Sequence, residues 1–224
     1  MRLVWDILMN TDRNASRLYP VIGITGPIAS GKSEVLKILE SHGFCGIDAD
    51  KVGHQVLEND QECIETLIKA FGKGITKQGQ AGRNVIDRGK LGKLVFSDSE
   101  KLSLLDKITH PRISEVIRGL INKVGKPVAI EAIKLMQTET KDLCDAVWLV
   151  ESSEAVRIER LMTSRGFSEA MACERIRSQR DIVWNHAEFD AVINGDQPLL
   201  TVQREVESLL TAFEADFYEG FSDP

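Results

Sequence analysis

The stretch Gly26-Pro27-Ile28-Ala29-Ser30-Gly31-Lys32-Ser33 constrains this chain more than any other. It fits G-x-x-x-x-G-K-[ST] at every fixed position. A β-branched apolar run, Val21 to Thr25, precedes it and reads as a buried strand. Behind it Val35, Leu36, Ile38 and Leu39 recur at helical spacing. A chance glycine-rich turn would lack this strand-before, helix-after setting. Gly26 and Gly31 let the backbone curl until successive N–H groups face phosphate oxygens. A helix starting near Lys32 adds the positive end of its dipole. Lys32 reaches the β- and γ-phosphates, and the Ser33 hydroxyl suits Mg²⁺. The expectation is a nucleoside triphosphate with Mg²⁺, held by residues 26–33.

Charge and composition narrow the partners. The 224 residues carry a net charge of −6, with acids and bases mixed along the chain, so nucleic acid is disfavoured as a partner. With 42% hydrophobic and 28% charged residues the chain reads as globular, and no apolar run nears the ~20 residues that span a bilayer. The four cysteines (Cys45, Cys63, Cys144, Cys173) are widely spaced, which favours free thiols in a reducing, cytoplasmic setting over zinc or disulfides. The opening Met1–Met9 is apolar but short, is interrupted by Asp6 and does not read as a signal peptide. For residues 1–18 a helical flap, a poorly ordered tail and a start-codon artefact all fit.

Read in order, the chain alternates strands and helices, which predicts βαβ units and a parallel sheet. The first helix ends near Ser41 to Gly43, with Gly43 suited to a C-cap. A short strand, Phe44 to Ile47, leads into Asp48-Ala49-Asp50, at the sheet edge where open α/β folds bind ligands. One of these acids suits a helix cap and the other suits chemistry. Helical periodicity dominates residues 52–122, with a loop from Gly72 to Gly82 and no strand expected. His110, before Pro111, reads first as a structural residue at a helix end. Strand signals return at Pro127–Glu131 and Ala146–Val150. Glu131 falls at a strand end, where an acid assists Mg²⁺ in phosphate-loop enzymes.

Six arginines (157, 160, 165, 175, 177, 180) fall within 24 positions, on two helices broken at Gly166-Phe167-Ser168. A solvated face would explain them, but guanidinium groups beside a phosphate site also suit a closing lid. Ala191–Ile193, with Asn194-Gly195 as its turn, reads as the fifth strand. An amphipathic helix follows from Leu199 to Phe213.

The order of motifs resembles the dephospho-coenzyme A kinases. These are Ile47-Asp48-Ala49-Asp50, Phe71-Gly72, Asp87-Arg88 to Leu91 and on to Val95-Phe96, His110-Pro111, Arg175-Ile176 to Gln179, and Val192 to Gly195. The resemblance implies transfer of the ATP γ-phosphate to the 3′-hydroxyl of dephospho-CoA, the last step of coenzyme A synthesis. It implies Asp50 as the base, with Lys32 and Arg160 also catalytic, and Arg88 and His110 beside the substrate. Arg160 and Asn194 join residues 26–33 at ATP, and Ser33 and Glu131 hold the metal.

The resemblance further implies a phosphate-loop NTPase fold, a five-stranded parallel sheet flanked by helices. Its core would be residues 19–51, 123–152 and 187–224, with residues 1–18 as an N-terminal extension. Residues 52–122 would form a helical substrate insertion and 153–186 an arginine-rich lid. A cytoplasmic monomer or weak homo-oligomer is expected. The chain departs from the family at Pro27 and Ala29, where glycines are usual, and at Ile133–Gln137, which replaces Pro-Leu-Leu-Phe-Glu. Its Arg160 and Arg165 are five apart rather than four. Rival readings are another small-metabolite kinase and a nucleotide-dependent switch, though the switch's base-reading Asn-Lys-x-Asp is absent.

Overall fold

The computed structural model describes residues 18–79, 84–95 and 98–219. Residues 1–17, Gly82 at the end of the expected loop and Phe96 at the end of its motif lie outside them. Two compact units divide the chain. Of the described residues, one holds 18–47, 124–137 and 141–219, and the other holds those from Asp48 to Lys123 and Thr138–Thr140. The arginine segment 153–186 falls within the first.

The first unit is built on a five-stranded parallel sheet. Its strands are β1 (Val21–Thr25), β2 (Cys45–Asp48), β5 (Val128–Glu131), β6 (Ala146–Glu151) and β7 (Ala191–Asn194), in the order β2-β5-β1-β6-β7. All five residues of β1 are buried, as a central strand covered on both faces requires. Its register sets Ile24 beside Glu131 on one side and Thr25 beside Leu149 on the other. The chain fills one side of β1 first and the other afterwards. The sheet therefore has its switch point at β1, and a crevice opens past the strands' carboxyl ends there.

On one face the strands pack against α1 (Lys32–Ser41) and α8 (Leu199–Glu219). Ile22, Ile24, Val35, Leu39, Trp148, Val150, Ile193, Val206 and Leu210 close this core. Trp148 meets Phe213 edge to face, with centroids 6.5 Å apart. On the other face Gly23 lets Leu135 and Cys144 approach so closely that a Cβ would lie 2.5 Å from Leu135 Cδ2. A smaller apolar cluster joins α6 (Glu154–Arg165) and α7 (Glu169–Arg177) through Leu161, Ala172 and Ile176. Gly166, in the left-handed region, ends α6, and Ser168 caps α7 by accepting from Met171 N. Gly43 likewise follows α1 with φ +93°.

The second unit contains α2 (Ala49–Asn59), α3 (Gln61–Phe71), α4 (Arg88–Val95) and α5 (Ser99–Val124). It corrects the expectation that residues 52–122 hold helices and a loop but no strand. β3 (Thr76–Gln78), inside the expected loop, pairs antiparallel with β4 (Asn84–Ile86), Thr76 opposite Ile86. Three-residue strands are too short to register as alternation. His110 is also not at a helix end, because α5 runs unbroken through Pro111. An interior proline costs a helix about 3 kcal/mol, and burial of Val116, Ile117 and Ile121 farther along α5 offsets it. Among the described residues no helix is long and apolar enough to cross a membrane.

Candidate active site

The loop after β1 has the curled backbone its glycines predict. Gly26 has φ +142° and Gly31 φ +111°. Gly26 also lies so near β6 that a Cβ would stand 2.1 Å from the Val150 carbonyl oxygen. Ala29, at φ +61°, is the one non-glycine with positive φ among the described residues. It occupies a conformation that costs an L-residue roughly 1–2 kcal/mol, where the resembling family uses glycine. Gly31 then starts α1, whose first N–H groups have no carbonyl one turn back. The Ser30 hydroxyl oxygen is buried and has no hydrogen-bond partner.

Lys32 is 5% exposed, and its ammonium group donates to the Pro27 carbonyl at 2.9 Å across the curl. The Ser33 hydroxyl lies 3.0 Å from both carboxylate oxygens of Glu131, at the end of β5. A hydroxyl and a carboxylate are hard oxygen donors that fit Mg²⁺, which takes one or two protein oxygens and completes its shell with phosphate and water. Lys32, Ser33 and Glu131 line one cavity of about 360 Å³ together with Arg160, Ser164, Arg165, Gly195 and Gln197.

Arg160, from the middle of α6, is half-buried. Its Nη1 donates to the carbonyls of Ala29 and Ser30, both at 3.1 Å, and its Nη2 donates to the Gly195 carbonyl at 2.6 Å. The guanidinium thus bridges the phosphate loop and the turn after β7. That turn packs directly on the loop, since a Cβ at Gly195 would stand 2.1 Å from the Ser30 carbonyl oxygen. Asn194 is the last residue of β7 rather than part of the turn, because β7 runs one residue past the expected end. Its side-chain oxygen accepts from Asp196 N at 3.0 Å.

Sequence reasoning missed Asp196. Its carboxylate accepts from the Ser152 hydroxyl and, at 3.1 Å, from Ser153 N at the start of α6. The Ser152 bond, followed by the Ser153 N–H, holds it below the usual carboxylate range. An acid one residue past Asn-Gly was the available signal. Beyond Arg160 a second cavity of about 680 Å³ is lined by Arg157, Arg177, Arg180, Trp184 and Pro27. Arg157 sits lower than a free guanidinium because of burial.

The remaining expected residues lie in the helical unit. Asp48 caps α2, accepting from Lys51 N at 3.1 Å, which settles which acid of the pair is the cap. Asp50 is exposed in the first turn of α2. Arg88 is exposed at the start of α4. Half-buried His110 is 3.3 Å from Asp106, one turn earlier on α5.

Comparison with known proteins bears on the same residues. A family model described as dephospho-CoA kinase matches residues 20–200. A dephospho-CoA kinase of Carboxydothermus hydrogenoformans is 36% identical over 86% of this chain and 94% of its own. One from Staphylococcus saprophyticus is 32% identical over 91% and 97%. Among solved structures, TT1252 from Thermus thermophilus superposes with a TM-score of 0.66 at 28% identity, covering 87% of this chain and 98% of that one. A dephospho-CoA kinase from Campylobacter jejuni gives 0.55 at 25%, covering 87% and 97%. The matched span includes the phosphate loop, Asp48–Asp50, Glu131 and the arginine segment, and by this match the chain belongs to the dephospho-CoA kinase family.

Proposed function

We propose that the phosphate loop, Glu131 and Asp50 carry in-line phosphoryl transfer from ATP to the ribose 3′-hydroxyl of dephospho-CoA. The reaction class, an ATP-dependent kinase acting on dephospho-CoA, follows from family membership. The observation that carries the assignment of roles is the Ser33 hydroxyl set 3.0 Å from both Glu131 oxygens beside Lys32. Mg²⁺ bound there would neutralise charge on the β- and γ-phosphates.

Residues 26–33 hold the ATP phosphates through N–H groups of the curl other than Ile28, which donates to Gln179, and Pro27, which has none. Lys32 exchanges the Pro27 carbonyl for phosphate oxygens when the nucleotide enters. Arg160 fixes the loop through its carbonyls and adds positive charge at the site, and Arg165, on the same cavity, supplies more. Asn194 lies at the nucleotide side. Asp50 accepts the proton of the acceptor hydroxyl, while Arg88 and His110 contact the substrate. The segment 153–186 closes over ATP and keeps water from competing as acceptor. The reading includes a cytoplasmic, monomeric or weakly self-associating protein without a nucleic-acid partner, and the net charge of −6 supports the last point.

The test compares ATP consumption with and without dephospho-CoA in wild type, Asp50→Asn and Asp48→Asn. Consumption should depend on dephospho-CoA. Asp50→Asn should lower kcat by roughly 10²–10⁴ with ATP affinity little changed. Asp48→Asn, a cap variant, should act mainly on stability, by about 1 kcal/mol or less. An active Asp50→Asn beside a folded but inactive Asp48→Asn would move the base to Asp48.

A further inference from the structure

One peptide unit of the phosphate loop, Pro27–Ile28, is gripped from both sides. Its carbonyl accepts from Lys32 Nζ at 2.9 Å and from Ser30 N at 3.3 Å. Its N–H donates to Gln179 Oε1 at 2.8 Å, a bond that spans 151 residues of sequence. The Ile28 side chain points the same way, into the apolar cluster of Leu161, Ala172 and Ile176. Gln179 follows α7 in a turn closed by its own N–H donating to the Ile176 carbonyl at 3.1 Å. The turn that sends Ile176 into the cluster therefore also carries the carboxamide that meets the loop.

This peptide plane matters because the next residue is Ala29, held at positive φ. Rotating the plane would swing every later N–H group in the curl away from a common focus. Lys32 is the charged partner on the carbonyl side, and it is also the residue whose ammonium must turn to phosphate. When it does, the side-chain hold on this peptide passes to Gln179. Glutamine suits the task because its carboxamide oxygen accepts from an N–H without bringing negative charge to a phosphate site.

We infer that Gln179 is a positioning residue for phosphoryl transfer. It fixes the Pro27–Ile28 peptide so that the loop holds its phosphate-binding shape before nucleotide arrives, and the nucleotide need not order it. The inference rests on the loop being the ATP site. Its readouts are independent of the phosphoryl acceptor.

The experiment uses the full chain with Gln179→Met, which keeps length and removes the acceptor oxygen, and Gln179→Glu, which keeps an acceptor. Amide exchange at Ile28, Leu161 and Ile176 is followed by NMR without ligand, and Mg-ATP binding is followed by calorimetry. Gln179→Met should speed Ile28 exchange about tenfold or more, leave Leu161 and Ile176 unchanged, and weaken ATP binding about tenfold, as loss of one hydrogen bond implies. Gln179→Glu should keep Ile28 protected. Wild-type Ile28 exchange or wild-type ATP affinity in Gln179→Met would overturn the inference. Exchange that rises equally at Leu161 and Ile176 would overturn it too, making the residue a structural prop of the helix pair. Wild-type protein that bound no Mg-ATP would instead strike the loop assignment itself.

Discussion

Arg112 Nε donates to Asp60 Oδ2 at 2.8 Å, tying the middle of α5 to the start of α3. Asp60 is 2% exposed and works twice, since its other oxygen caps α3 by accepting from Cys63 N at 3.0 Å. Glu115 and Glu62 flank the same guanidinium at 3.0 and 3.5 Å. Removing Asp60 takes away the buried acceptor and the cap together, and leaves the part-exposed Arg112 only its more solvated partners Glu62 and Glu115. Asp60→Ala should therefore cost roughly 2–3 kcal/mol, cap included. Urea unfolding measures it, and a loss below about 1 kcal/mol would show that the pair contributes no more than a surface bridge.

Ala29 holds the loop at a conformation glycine adopts freely. Ala29→Gly should release roughly 1–2 kcal/mol of strain and lose about 0.4–1 kcal/mol to greater freedom of the unfolded chain. The net expectation is a gain of up to ~1.6 kcal/mol, a rise in Tm of up to about 6 °C. Ala29→Val should do the reverse, as β-branching adds to the strain. A lower melting temperature for the glycine variant would mean the alanine methyl contributes more by packing than it costs by strain.

Burial, aided by the nearby Asp60 carboxylate, pushes the Cys63 thiol up to about 12. Thiolate is the reactive form, so Cys63 should stay unlabelled by iodoacetamide at pH 8 in the folded protein and label fully in urea. Cys45, Cys144 and Cys173 are less deeply buried and should react ahead of it. Peptide mass spectrometry gives the order. Labelling of Cys63 at the rate of the others would place it in an open environment.

Asp196 supplies a pH dependence. Its carboxyl is depressed in the folded chain, chiefly by the Ser152 hydroxyl. The stability it contributes is therefore present above the unfolded value of about 3.9 and lost as pH falls through the folded one. Asp196→Asn should flatten part of the fall in urea midpoint between about pH 5 and pH 2 while changing little at pH 7 in excess of the lost bonds. Identical acid profiles for the two proteins would remove Asp196 from the acid response.

The parts of this molecule that were legible in the sequence depend on neighbours along the chain. Val21–Thr25 as a buried strand, the curl of Gly26 to Gly31, Gly43 behind α1 and Ser168 before α7 are all short-range patterns. The hairpin was not legible, because Thr76–Gln78 and Asn84–Ile86 are each too short to show a period. Nor was the work of Arg160 and Gln179. Their partners on the loop are backbone groups of residues 28–30, more than a hundred positions away, and no side-chain pattern encodes a carbonyl or an N–H. The arginine cluster drew attention to this segment as a lid and did not reveal that one of its members braces the loop.

β1 is the first strand of the sheet to leave the ribosome, yet it depends on the latest-made parts of the chain. It pairs with β5 only after residue 131 and with β6 only after residue 151. The loop that follows it is braced from Arg160, Gln179 and Gly195. A nascent chain thus carries its nucleotide motif exposed and unshaped through most of its synthesis. Competence to hold ATP arrives late, when β7 and its turn dock and leave no room for a Cβ at Gly195. Fragments abandoned before that point would display the motif without the pocket, and so would not draw on the cell's ATP.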